Sequence, residues 1–328
     1  LIREPVITNN EVKLYINGWE DRSKLAPRFE LTPGATISPA SGTLRDFTKP
    51  QTYVVTSQDG QWKKTYTVSF EVNDVPTEYH FEGLDYYIFK DNDTGEEHKK
   101  FEKIYEKLPD GSKTEWNSGN AGFMITNGTA GLKDYPTMQD DNGYIGKCVK
   151  LVTRSTGPMG IAFGAPIAAG NLFLGEFQID ILNMAKSTRF GLPYRNTPVA
   201  ISGYYKYQPG AKFTDKTNTV LENARDTFDI YAVMYESTTE TPFLDGTNIK
   251  THPSIVMMAQ LKERKPTDAW THFSMTFEPV AGRTLHPEKL RKGQYNLAIV
   301  MSSSQGGAFF RGAVGSTLWV DELQLFHE

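Results

Sequence analysis

Short runs with a period of two recur through this sequence, and few folds accommodate them. Eight stretches (146–152, 172–182, 199–207, 228–236, 255–261, 270–277, 295–302 and 316–325) read as strands separated by Gly, Pro, Asn and Asp. No long stretch carries a helical period. Many short strands with turn residues between them predict an all-β sandwich. Two local exceptions stand out. Segment 99–107 (KKFEKIYEK) reads as a short helix, and 287–291 as about one helical turn. Three long connections, 91–120, 126–142 and 212–226, have the length of functional or disordered loops.

A smaller unit precedes this series. Residues 53–56 and 65–68 alternate in hydrophobicity on either side of Asp59-Gly60, the strongest short-range hairpin signal. With a candidate strand at 12–16 they make most of a small sheet. Segment 73–77 (NDVPT) breaks it, because proline cannot donate to a ladder. The expected division is therefore 1–75 and 76–328. Trp19 and Trp62, in the first unit, read as structural.

Composition removes several function classes. A net charge of −4 with no basic block argues against nucleic acid. One cysteine, Cys148, excludes an internal disulfide and a cysteine-based zinc site. In its strand-like context it reads as a small buried hydrophobe. Six histidines show no metal-ligand spacing, and no Gly-x-Ser-x-Gly or Ser-His-Asp order is present. Gly306-Gly307 precedes no helical pattern, so phosphate cradling is not expected. The chain opens on Leu1 rather than Met, as a mature form freed of a lipoprotein signal would.

An ordered series of motifs then narrows the reading. It comprises Trp116-Asn117-Ser118-Gly119-Asn120, Ala168-Ala169-Gly170-Asn171-Leu172, Arg189-Phe190-Gly191-Leu192-Pro193-Tyr194, Ile201-Ser202-Gly203-Tyr204-Tyr205, Asp229-Ile230-Tyr231-Ala232 and Thr317-Leu318-Trp319-Val320-Asp321. Together these resemble the putative carbohydrate metabolism domain family of Bacteroidetes. The hairpin unit resembles the immunoglobulin-like module that begins many Bacteroidetes surface lipoproteins. The resemblance implies an N-terminal immunoglobulin-like β-sandwich followed by a larger β-jelly-roll of carbohydrate-binding-module type. It also implies a polysaccharide or glycan partner, an outer-membrane lipoprotein at the cell surface or in the periplasm, and a glycan-uptake complex. Fold alone does not separate binding from catalysis.

A glycan site stacks sugar C–H faces on flat rings while polar groups bond the hydroxyls. Strand 199–207 offers Tyr204 and Lys206 on one face and Tyr205 and Tyr207 on the other. Strand 228–236 places Ile230, Ala232 and Met234 on the expected core face, leaving Asp229, Tyr231 and Tyr235 to a cleft. Trp116, in a polar loop, reads equally as anchor or platform, whereas Trp270 and Trp319 read as core or cross-strand packing. The expected ligand set is Trp116, Asn117, Arg189, Tyr204, Tyr205, Lys206, Asp229, Tyr231 and Tyr235. No cofactor is expected.

Glycoside hydrolysis needs two carboxylates about 5–10 Å apart. Glu176 and Glu236, on apolar faces, are candidates with Asp229, although Arg189 or Arg195 would equally serve Glu176 as a partner. The alternatives to glycan binding are accordingly a glycoside hydrolase or an adhesion subunit. For metal, Asp321 matches the last-strand aspartate that holds a structural calcium in similar jelly-rolls, since calcium takes oxygen ligands. Segment 91–96 (DNDTGE) departs from the EF-hand pattern and reads as a solvated turn.

Overall fold

The computed structural model describes residues 1, 5–16, 20–72, 75–91, 93–109 and 111–328. Trp19, residues 73–74 of the expected linker, and Asn92 lie outside the described residues. The chain is all-β, and its three α-helices among the described residues are short: Asn120–Thr126, Gly157–Ala162 and Pro287–Arg291.

The N-terminal unit is a five-stranded sheet, ordered Val6–Ile7, Glu11–Ile16, Lys63–Val72, Gln51–Thr56 and Thr36–Ser38. Glu11–Ile16 runs parallel to Lys63–Val72, and the other neighbours are antiparallel. The Asp59-Gly60 hairpin is present, with Tyr53 opposite Tyr66. Gly60 has φ +73°, a conformation that costs glycine little. Leu14, Phe47, Tyr53, Val68 and Phe70 close the core under one sheet face. Trp62 does not serve that core. It lies just past the turn, 76% exposed.

The larger unit stacks two six-stranded antiparallel sheets. The first is ordered Thr137–Asp140, Cys148–Val152, Thr317–His327, Pro198–Gln208 and Thr267–Thr276, with Glu78–Tyr79 also on Thr317–His327. The second is ordered Asn171–Phe173, Tyr295–Ser302, Asp229–Glu236, Ile255–Gln260 and Glu278–Pro279, with Leu192–Tyr194 also on Tyr295–Ser302. Most neighbours within each sheet are distant in sequence, as a jelly-roll requires. Val149, Leu151, Ile201, Tyr205, Leu318 and Val320 meet Ile230, Ala232, Met234, Leu297 and Ile299 in one continuous core. Each such side chain contributes about 1.5–3 kcal/mol by leaving water. Val75 belongs to this core.

The second sheet is buried on both faces. Its outer side chains, Tyr231, Val233, Tyr235 and Val300, pack beneath Phe190, Leu244 and Ile249 of the covering segments. The two-sided burial explains why 229–236 and 295–302 read as nearly continuous apolar runs. The first sheet has no such cover over most of its outer face, and that face is where polar function can sit.

Segment 99–107 is not a helix but part of the strand Glu97–Lys107. Phe101, Ile104 and Tyr105 imitate a helical stripe at i, i+3 and i+4. The strand prevails because Glu102, Ile104 and Glu106 face inward, where the two carboxylates find donors. Glu102 accepts the Gln139 N–H at 2.7 Å and the Lys133 ammonium at 2.7 Å. Glu106 accepts the backbone N–H groups of His80 and Phe81 at 3.2 and 3.0 Å. Burial pushes the Glu106 carboxyl above its ordinary pKa despite those bonds.

Candidate functional site

Two rows of outward side chains cross the open face of the first sheet. Register places Lys150 beside Trp319 and Trp319 beside Lys206. Trp270, in the next strand, lies at the register shift between Tyr205 and Tyr207. The second row runs Asp321, Tyr204, His272. Between them lies the core-facing row Val149, Val320, Tyr205. Period two thus explains why tryptophans and lysines alternate with aliphatic core residues along the same strands.

The first row is a ladder of cations and rings. The Lys206 ammonium lies 4.6 Å from the Trp270 ring centre and 5.2 Å from that of Trp319. Lys150 lies 5.3 Å from Trp319 on its other side. Asp140 accepts the Trp319 indole N–H at 3.3 Å and pairs with Lys150 at 3.4 Å. Each cation–ring contact of this partly exposed kind stabilises by about 0.5–1 kcal/mol.

Loop 141–147 folds back over the second row. Tyr144 stacks on Tyr204 with ring centres 3.7 Å apart and planes 12° apart, and stands edge-on to Trp270 at 6.4 Å. It is 44% exposed. Asp321, fully buried below, holds the loop: its Oδ2 accepts the Ile145 N–H at 3.0 Å and its Oδ1 the Glu322 N–H at 2.9 Å. Burial lifts the Asp321 pKa to about 6, against the opposing pull of these N–H donors. Two glycines make the close approach feasible. A Cβ on Gly143 would stand 2.8 Å from Asp321 Oδ2, and one on Gly146 only 2.1 Å from Glu82 Oε1. Glu322 has φ +49° at a register irregularity of the last strand. The extra residue turns Leu323 and Leu325 into the core while Trp319 and Asp321 keep the outer face.

Of the expected ligand residues, only Tyr204 and Lys206 reach this platform. Tyr205 faces the core against Phe228, ring centres 4.8 Å apart. Trp116 is 2% exposed, packed on Tyr79 and Phe81, so it is an anchor and not a stacking surface. Tyr231 and Tyr235 are buried under the covering segments, and the Tyr235 hydroxyl donates to the Phe190 carbonyl. Asn117 donates to the Gly175 carbonyl at 2.7 Å, and Arg189 pairs with Glu176 at 3.8 Å over Phe243. Both sit with the covering hairpin of the other sheet. The residues missed were Tyr144, Trp270, Trp319 and Lys150. Trp270 and Trp319 do make the cross-strand contacts expected of them, but from the solvent side. Tyr144 lies in a glycine-flanked loop, a recognisable signal for close backbone packing.

The carboxylate candidates do not pair for hydrolysis. Asp229 is 2% exposed, is neutralised by Lys250 and by Arg264 at 3.0 Å, and accepts the Gln260 amide at 3.2 Å. Glu236 pairs with Lys289. Seven residues of strand separate Asp229 from Glu236, about 23 Å, far beyond the range for a catalytic pair. Glu176 is held by Arg189 on a surface hairpin. Glu236 does line a cleft of about 350 Å³ with Ser254, Arg283 and His286, in which it is the only carboxylate. A larger groove of about 770 Å³ between strands Ile255–Gln260 and Thr267–Thr276 carries Glu263 and Glu278. These are 81% and 67% exposed and paired with Lys265 and Lys262.

Asp321 does not suit calcium. Both of its oxygens face backbone N–H donors, where a calcium ligand set would present oxygens. No cluster of metal-ligating side chains occurs among the described residues. Cys148, as expected, is buried, and burial drives its thiol up to about 12.

No helix among the described residues is long and apolar enough to cross a membrane. Comparison with known proteins accords with this architecture. No curated protein matches the chain. A crystal structure described as a putative glycoside hydrolase from Bacteroides thetaiotaomicron is 46% identical, with a TM-score of 0.75, over 100% of this chain and 93% of that one. Another, described as a putative glycoside hydrolase from Bacteroides vulgatus, is 37% identical, with a TM-score of 0.69, over 78% of this chain and 100% of that one. The family model described as SGBP, N-terminal, matches residues 5–69. The model described as Putative carbohydrate metabolism domain matches residues 80–326, nearly all of the two-sheet unit and its whole platform, and the chain belongs to that family.

Proposed function

We propose that the protein binds glycan non-catalytically at the bacterial cell surface, as part of a polysaccharide-utilisation system. The larger unit holds the sugar on the open face of its first sheet. The observation that carries this reading is the platform itself: Tyr144, Tyr204, Trp270 and Trp319 brought from four separate segments to one solvent-facing surface beside Lys206. The outer face of Tyr144 offers a flat apolar surface to pyranose C–H groups, Trp270 and Trp319 border it, and the lysine adds a donor for hydroxyls. The match of residues 5–69 to a surface glycan-binding protein's N-terminal model supports a spacer role for the first unit, and with it a surface location and an outer-membrane uptake complex.

The relatives' description makes hydrolysis the competing reading. The pairing of Glu176, Glu236 and Asp229 with cations weighs against it. Affinity electrophoresis on immobilised polysaccharides tests the proposal. Retention on at least one polymer, abolished by Trp270→Ala with the fold intact, is expected. A folded protein retained by none would overturn it.

A further inference from the structure

Among the described residues, no carboxylate pairs with Lys206 on the platform. Asp140 neutralises Lys150 at 3.4 Å, His80 faces Glu322 at 2.9 Å, and Lys147 reaches Asp141 at 3.5 Å. No ion pair or hydrogen-bond acceptor engages the Lys206 ammonium among the described residues. Its neighbours are two indoles, at 4.6 and 5.2 Å. Ring faces attract a cation but carry no net negative charge, so none of the described residues offsets the charge of this ammonium. Strand pairing keeps it in place, since Lys206 stands opposite Trp319 in the middle of the sheet.

Resting on the glycan reading above, we infer that the platform selects an acidic polysaccharide, with Lys206 receiving the carboxylate of a hexuronate residue. A C5 carboxylate is joined directly to a ring carbon. When that ring packs against the outer face of Tyr144, the carboxylate lies at the edge of the stacked ring. Trp270 stands edge-on to Tyr144 at 6.4 Å, and the Lys206 ammonium lies over the Trp270 ring, 4.6 Å from its centre, on the side of the platform such a carboxylate reaches. A charge-assisted hydrogen bond then forms where the surrounding rings have already displaced water. Two carboxylates of the face do not oppose such a ligand. Asp321 is buried beneath loop 141–147, and Asp140 is paired with Lys150 and accepts the Trp319 indole N–H.

The test compares carboxylated polysaccharides (polygalacturonate, alginate and a glucuronate-containing glycan) with their carboxyl-reduced counterparts and with a sulfated polymer. It uses the full chain and the variants Lys206→Met, Lys206→Arg and Trp270→Ala, each checked for unchanged melting temperature. The inference expects at least one carboxylated polymer to bind about tenfold or more tightly than its reduced form. That preference should disappear in Lys206→Met, persist in Lys206→Arg and weaken with added salt. Equal binding of native and reduced polymers, or an unchanged preference in Lys206→Met, overturns it. If neutral polymers bind and only Trp270→Ala releases them, the glycan reading stands and the acidic selection falls. Preference for the sulfated polymer over every carboxylated one likewise overturns the uronate assignment. If no polymer of any charge binds the folded protein, both readings fall together.

Discussion

Tyr144 lies flat on Tyr204, ring centres 3.7 Å apart, although the first belongs to a loop and the second to the middle of a strand. The contact exists because Asp321, on the neighbouring strand, holds the loop by the Ile145 N–H. The stacked pair presents the outer face of Tyr144 to solvent beside Trp270. Tyr144→Ala is expected to weaken glycan binding about tenfold, near 1.4 kcal/mol. The melting temperature should change little, because Tyr144 is largely outside the core. Isothermal titration alongside thermal denaturation separates the two effects.

The loop depends on its glycines. Gly146 has φ +66° and no room for a Cβ next to Glu82. Gly146→Ala is expected to cost about 1–2 kcal/mol of stability and to lift Tyr144 from Tyr204. Near-ultraviolet circular dichroism should report the lost ring coupling, with binding reduced in parallel. A Gly146→Ala protein with native dichroism and native affinity would show that the loop tolerates the side chain.

Asp321 makes stability depend on pH in a defined direction. Its folded pKa, about 6, lies above the ordinary carboxyl value of 3.8. The folded state therefore binds the proton more tightly. The stability contribution of this group is complete below about pH 4 and is lost as pH rises through 6. Asp321→Asn lacks that titration. The stability of the native protein relative to Asp321→Asn should accordingly be greater at pH 4 than at pH 7.5. Parallel urea unfolding at the two pH values measures the difference, and a gap that widens at higher pH would contradict the burial of the charged form.

Asp229 and Trp116 serve the fold. Asp229→Asn leaves Arg264 and Lys250 facing a neutral amide and is expected to cost about 3 kcal/mol. Trp116→Ala, which empties a site against Tyr79 and Phe81, should cost about 3–5 kcal/mol. In both variants the fraction that remains folded should bind glycan with native affinity. A loss of affinity without loss of stability would move either residue into the binding site.

Much of this organisation was legible in the residues. The Asp59-Gly60 hairpin, seven of the eight β-like runs and the split of Tyr204 and Lys206 from Tyr205 and Tyr207 follow from turn chemistry and period two; the run 172–182 is instead two short strands, Asn171–Phe173 and Gly175–Phe177, followed by an irregular segment. The platform did not follow, because it is a property of register. Lys150, Trp319, Lys206 and Trp270 sit on four strands far apart in sequence, and only their pairing makes them neighbours. Each alone looks like a ring or charge in a strand. Tyr231 and Tyr235 misled for a related reason. Their face is polar enough to suggest solvent, yet Phe190, Leu244 and Ile249 arrive from distant segments to cover it. Segment 99–107 failed through a real ambiguity, since its apolar spacing fits a helix and its two inward glutamates are satisfied only by tertiary partners.

The most direct test of the central claim is one affinity comparison between the native protein and Trp270→Ala across a panel of neutral and acidic polysaccharides. Retention of the native protein by at least one polymer, lost or reduced at least tenfold in a folded Trp270→Ala, is the expected result. Undiminished retention of Trp270→Ala, or no retention of the native protein on any polymer, would contradict a glycan platform on this sheet.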